Sequence, residues 1–178
     1  MTPRVERLAD GHEWLRVADP DWVDPLDPSF AARRGGRWNP PGSHPTLYLN
    51  EDLATARSRV WKLLEGSPVE PDDLDPGFDL VTATLPRSQD VADALSDEGV
   101  EALGLPTTYP RHGNGRPVQR DVCQAVGLEV HEAGLRGVHA RSAADEGRGR
   151  ELAWFPARTT SHASLVNRQA FREWWYRP

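Results

Sequence analysis

Apolar and polar residues alternate with a period of two in EWLRVA, Glu13–Ala18, where Leu15 and Val17 face away from Trp14, Arg16 and Ala18. That period predicts a strand with Arg16 on the same face as Trp14. Thr46–Asn50 reads as a short strand, Leu47 and Leu49 on one face and Tyr48 on the other. DLVTATL, Asp79–Leu85, is rich in β-branched residues and predicts a third strand. Leu135–Arg141 and Glu151–Phe155 predict a hairpin around the polar stretch AADEGRGR, expected to be a mobile loop. The helical period appears elsewhere. Leu53, Ala56, Val60, Leu63 and Leu64 form one apolar stripe, predicting an amphipathic helix over about 51–65 with Asn50 as its N-cap. Arg59 lies on the flank of that stripe with Thr55 and Asp52, whereas Glu65 points elsewhere. Further helices are expected over Gln89–Leu103, from Pro117 to about Gly134, and over about Leu165–Tyr176.

Strands and helices mix without regular βαβ alternation. The expected fold is therefore α+β, a single domain with a mixed or mainly antiparallel sheet and flanking helices. Its 178 residues suit one domain. The expected core spans about 13–156, with 157–178 as a C-terminal helical extension.

Composition narrows the function. Seven tryptophans argue for order. A net charge of −6 weighs against nonspecific nucleic-acid binding. Cys123 stands alone, so there is neither a disulfide framework nor a cysteine metal site, and its ordinary role is packing. The six histidines show no metal-ligand spacing, and no metal is expected. No GxSxG elbow points to a serine hydrolase. With no long apolar run and no secretory signal, a cytoplasmic location is expected, without membrane contact.

The densest chemistry is Arg34–Gly42, RGGRWNPPG. Gly35 and Gly36 allow close backbone approach, and Pro40 and Pro41 stiffen the exit. Between them Arg37, Trp38 and Asn39 offer a planar cation, a stacking surface and a two-way amide. Such a loop suits an anionic, ring-bearing ligand, because guanidinium meets phosphate bidentately and stacks on rings. A tight turn with Arg37 solvated and Trp38 buried is the plainer alternative. Tyr109, Arg111 and His112 are further contact candidates with surface roles as the ordinary reading; His139 suits either a pocket or a core; GRGR at 147–150 is a weak phosphate-loop candidate.

RGGRWNPPG followed by LYL, the helix with Thr55-Ala56, and GVHARS followed by ELAWFP resemble, in that order, the RES domain. This family is the toxin half of bacterial toxin–antitoxin systems whose antitoxin is a helix-turn-helix protein. The resemblance implies an ADP-ribosyltransferase-like fold. It also implies destruction of NAD+ by cleavage of the nicotinamide–ribose bond, with water or phosphate as acceptor. NAD+ or a related nucleotide then enters as substrate, and no separate cofactor is implied; oligomeric assembly stays open. Position by position, the resemblance makes Arg37, Tyr48 and Ser142 catalytic. It also matches Arg16 to the arginine of the family's first strand. The expected substrate contacts are then Arg16, Arg37 and Tyr48, joined on their own chemistry by Trp38 and Asn39 of the loop and by Arg59 as a cation for phosphate.

The departure from the family pattern that bears on chemistry is Arg59, which stands where the family has its glutamate. Glycosidic cleavage passes through an oxocarbenium-like cation that a carboxylate stabilises. At ~4 Å and an effective dielectric near 20 such a contact is worth about 4 kcal/mol, on the order of a thousandfold in rate. Asp52 sits roughly 10 Å along the helix axis from Arg59. Glu146 and Glu151, near Ser142, would reach the site by a loop movement. The alternative is a catalytically impaired RES-like protein that binds a nucleotide or a partner.

Overall fold

The computed structural model describes residues 2–158, 160 and 162–177. Its elements in chain order are β1 (Val5–Arg7), β2 (Glu13–Ala18), α1 (Ser29–Arg34), β3 (Leu47–Asn50), α2 (Leu53–Leu64), β4 (Asp79–Thr84), β5 (Asp90–Ala94), α3 (Asp97–Ala102), α4 (Arg120–Glu132), β6 (Gly137–Arg141), β7 (Arg150–Trp154), β8 (Ser164–Gln169) and α5 (Phe171–Trp174). A single 3₁₀ turn occupies Pro71–Asp73. The eight strands among the described residues form one sheet in the order β1-β5-β6-β7-β3-β2-β4-β8. β5 and β6 run parallel; the other neighbours are antiparallel. The chain is α+β with a mixed, mainly antiparallel sheet, as its element order implies.

Period-two strands do most of the work of the core. Trp14, Leu47, Leu49, Val81, Leu152 and Trp154 pack together on one face. On the other, Ala92, Ala94, Val138, Ala140 and Ala153 meet Val126 and Val130 of α4 and Trp38 of the glycine-rich loop. A third cluster joins Ala56 and Val60 of α2 to Leu80, Phe171 and Trp174. The apolar stripe of α2 is thus buried as its spacing predicts, and capping falls to Asp52, whose Oδ1 accepts from the Thr55 N–H at 2.7 Å.

Two segments fold differently from their expectation. The helix expected over Gln89–Leu103 is strand β5 followed by the short α3. Val91, Ala92, Asp93 and Ala94 are all buried between β1 and β6, and a strand covered on both faces loses its alternation. Asp93 then accepts from the Leu95 and Ser96 N–H groups, turning the chain into α3. The helix expected over Leu165–Tyr176 is edge strand β8, paired with β4, and only four residues of α5. The segment after 156 therefore belongs to the sheet and is no helical extension. Arg168 anchors it by an ion pair to Asp79 and by donating to the Trp22 carbonyl at 2.9 Å. Sequence reading also missed β1 and α1, both short.

Candidate functional site

Strands β2 and β3 are paired at one position, Leu15 opposite Asn50, whereas β2 pairs with β4 over six residues. Beyond that one pair they part. Arg16 and Val17 of β2 and Tyr48 and Leu49 of β3, which would have continued the ladder, instead line a cleft of about 380 Å³. Its other walls come from Trp22 and Phe30, from Gly35–Arg37, from Arg59 and Lys62 of α2, from Arg120 of α4, and from Glu151 of β7.

The glycine-rich loop is fixed by the protein's own hydrogen bonds. Gly35, at φ 72°, ends α1 and donates back to the Ala31 carbonyl. Arg120 of α4 donates to the Gly35 and Gly36 carbonyls at 3.0 Å each, and Gln124 to that of Gly36 at 2.9 Å. Gly36 is required by its neighbour: a Cβ there would lie 2.0 Å from the Tyr48 hydroxyl oxygen. That hydroxyl accepts from the Trp38 N–H at 2.9 Å and donates to Asn39 Oδ1 at 2.7 Å. Burial pushes the Tyr48 pKa well up, so it stays a neutral phenol.

These bonds reassign two expected ligand contacts. Trp38 is fully buried against Tyr109, ring centroids 5.7 Å apart, and Asn39 is fully buried, donating to the Ala31 carbonyl at 2.7 Å. Neither lines the cleft. Their work is to hold the loop and Tyr48. The apolar body of Trp38 belongs to the core, and the loop reaches the cleft through its glycines and Arg37.

Arg16, Arg37, Tyr48 and Arg59 do come together at the cleft. Arg16 is 8% exposed, and its Nε and Nη1 are buried with no hydrogen-bond partner. Its guanidinium lies 5.3 Å from the Trp22 ring centre, which offers a cation–π contact and no acceptor. Burial lowers its pKa to about 10, against the pull of Asp24 and Asp27, and Arg59 lowers it further. Arg37 is half-buried, with long contacts to the Val118 carbonyl (3.4 Å) and Cys123 Sγ (3.6 Å). Burial alone would lower its pKa, but Tyr109, Cys123 and Glu151 together hold it above the ordinary arginine value. Arg59 is exposed and makes no hydrogen bond or ion pair to the described residues. Arg57, one residue pair back, is spent on the Trp174 and Arg177 carbonyls.

Ser142 is buried behind the wall formed by Ala143 and Ala144. Its hydroxyl donates to Glu151 Oε2 at 3.3 Å. Glu151 lines the cleft without any loop movement, because β7 pairs it directly with Asn50 of β3. Glu146 does not line it: its carboxylate is tied to Arg111 at 2.7 Å. The 143–149 segment is a bonded turn, with Ser142 N–H donating to Gly149 O at 2.7 Å and Gly147 N–H to Ser142 O at 2.8 Å. His139 is a core residue, 3% exposed, edge-on to Trp14 and bonded through Nδ1 to Glu6. Sequence reading missed Trp22, Phe30, Lys62 and Arg120; only the position of Arg120, just after the Pro117 helix-start signal, hinted at a helix-borne cation.

Arg16, Arg37, Arg59 and Arg120, with Lys62 paired to Glu65, thus line the cleft beside one carboxylate, Glu151, in a protein whose net charge is −6. Such a cleft focuses potential for an anion. Among the described residues, no three His, Cys, Asp or Glu side chains are placed to hold a metal ion. No helix is long and apolar enough to cross a membrane.

The RES domain model matches residues 13–176. The chain belongs to the RES domain family. No curated protein matches it. Among solved structures this RES domain is similar to the M. tuberculosis MbcT–MbcA toxin–antitoxin complex, at 23% identity and a TM-score of 0.70, covering 97% of this chain and 90% of that one. The likeness is one of fold.

Proposed function

We propose that this RES domain is a toxin that depletes NAD+ by cleaving the bond between nicotinamide and ribose, and that a helix-turn-helix antitoxin neutralises it. The observation that carries the reading is Arg16: a buried guanidinium with two unpartnered donors at the wall of a cationic cleft. Buried donors left without acceptors are costly, and an anionic ligand would supply the missing acceptors. A nucleotide diphosphate fits that demand. Arg37 and Arg59 add charge to the same cleft, and the Trp22–Phe30 pair, 5.9 Å between centroids, offers ring surface in its lining. The partner half of the reading is supported by the related fold having been solved as a toxin–antitoxin complex, and a cytoplasmic site of action goes with it. An ADP-ribosyltransferase-like ancestry is consistent with a nucleotide cleft between parting strands.

The test is nicotinamide release from NAD+ by the purified chain, beside calorimetric NAD+ binding and growth of expressing cells. Turnover, growth arrest and falling cellular NAD+ are expected. Binding without turnover would replace the reading with the second one, a nucleotide-binding RES protein. Arg59, where the family has glutamate, is the specific observation favouring that alternative.

A further inference from the structure

The departure at Arg59 leaves a cleft that needs an acid, and only one of its walls carries a carboxylate. Asp52 is engaged in capping α2. Glu146 is held by Arg111, Glu51 by Arg150, and Glu65 by Lys62. Asp24 and Asp27 accept from the Leu26 and Ser29 N–H groups of their own loop. Among the described residues lining the cleft, Glu151 alone is acidic.

We propose that Glu151 is the catalytic acid–base of this cleft, its carboxylate transposed from the helix position now held by Arg59 to strand β7 on the facing wall. The inference rests on the NAD+-cleaving reading above. The geometry supports it in three ways. The residue sits on a rigid strand paired on both sides, to Asn50 and to Ala140. Ser142 Oγ holds its Oε2 and so orients the carboxylate. Arg37, Arg59, Tyr48, Tyr109 and Cys123 all lie close enough to share its field, from the loop, α2, β3, the segment before α4 and α4 itself. Burial pushes its pKa up, while Arg37, Arg59, Ser142 and the Ala143 N–H pull it partly back. A base poised in this way suits proton transfer.

In the step, the bond between ribose C1′ and the nicotinamide nitrogen breaks. Its electron pair goes to that nitrogen, turning the pyridinium into neutral nicotinamide. The Glu151 carboxylate stabilises the positive charge developing on the ribose. A water oxygen bonds to C1′, and its proton passes to Glu151 and then to solvent. The products are ADP-ribose, nicotinamide and one proton. Arg59 in this arrangement holds phosphate and offsets part of the burial that raises the Glu151 pKa.

The experiment uses the full chain and its Glu151→Gln, Glu151→Asp and Glu146→Gln variants. It measures nicotinamide release against pH and calorimetric NAD+ affinity. Glu151→Gln keeps the size and the bond from Ser142, so folding and affinity should stay within threefold while kcat falls at least a hundredfold. The acidic limb of the wild-type kcat profile should vanish from its residual activity. Glu151→Asp should recover part of the rate, and Glu146→Gln should match wild type. A Glu151→Gln kcat within threefold of wild type overturns the acid assignment and leaves NAD+ cleavage standing. A wild type that binds NAD+ without releasing nicotinamide overturns the reading beneath it, and the acid with it. Should Glu151→Gln misfold by circular dichroism, Glu151→Asp decides: a tenfold fall in kcat at wild-type affinity supports the proposal, and an unchanged kcat overturns it.

Discussion

Arg16→Met should make the protein more stable and a worse ligand binder. The folded environment lowers the Arg16 pKa from the ordinary arginine value to about 10, mainly by burial. A shift of that size corresponds to roughly 3 kcal/mol of lost preference for the charged form. The guanidinium is 8% exposed and two of its nitrogens lack acceptors, so little solvation offsets this. Methionine keeps most of the stem and packs beside Leu49 and Trp22, which line the same cleft. Replacing buried charge by apolar volume is commonly neutral or stabilising by about 1–4 kcal/mol. The cation–π contact with Trp22 and the attraction to Asp24 and Asp27 work the other way, so a gain of about 1–2 kcal/mol is expected.

Urea unfolding at pH 7 measures that gain, and calorimetry should show NAD+ affinity falling at least tenfold. The sign with pH can be worked out. Arg16 binds its proton less tightly folded than unfolded, so between about pH 10 and the ordinary arginine value the unfolded chain holds more protons. Stability contributed by this group therefore rises with pH across that window, and the gap between variant and wild type narrows from pH 10 upward. A variant destabilised by more than 1 kcal/mol would refute the reasoning, because Arg16 would then be held by the fold rather than held ready for an anion.

Gly36→Ala should cost about 3 kcal/mol in urea unfolding, since its Cβ would meet Tyr48 at 2.0–2.3 Å, while Gly113→Ala, with open space around it, should stay within about 0.5 kcal/mol; equal effects would mean that the loop yields freely. Arg37→Ala should weaken NAD+ binding at least tenfold by calorimetry, with Tyr48→Ala also weakening it, and wild-type affinity in Arg37→Ala would remove the loop from the binding site. Arg59→Glu removes a cleft cation and sets a second carboxylate near Glu151, so NAD+ affinity and nicotinamide release should both fall; a gain in release would return the acid to the helix and mark the wild type as catalytically impaired.

Much of the sheet was legible because β2 and β3 carry clear alternation and β4 is rich in β-branched residues. EWLRVA, LYLN and DLVTAT became β2, β3 and β4 almost to the residue, and the stripe of α2 fell where its spacing put it. The failures have several physical origins. β5 is covered on both faces, and β8 is an edge strand with Leu165 and Val166 exposed side by side, so neither shows the period of two. β1 has three residues, too few for any pattern. Trp38 and Asn39 misled for a different reason. A tryptophan and an asparagine in a glycine-rich loop have the chemistry of ligand contacts, but here the glycines, not the side chains, leave the room that the cleft and Tyr48 occupy.

Glu151 was among the acids the sequence offered, but its place in the cleft was not legible, because that place depends on strand pairing. Glu151 follows a polar turn in the sequence and looks like the exposed start of a strand. What brings it into the cleft is the register of β7 on β3, which sets it opposite Asn50, just where β2 parts from β3. Because α2 begins directly after that same strand end, the register also brings Arg59 into the field of Glu151. Two residues far apart in sequence thus become facing walls of one site. If Glu151 is the acid, as proposed above, Arg59 is its charge partner across the cleft and not merely a missing glutamate.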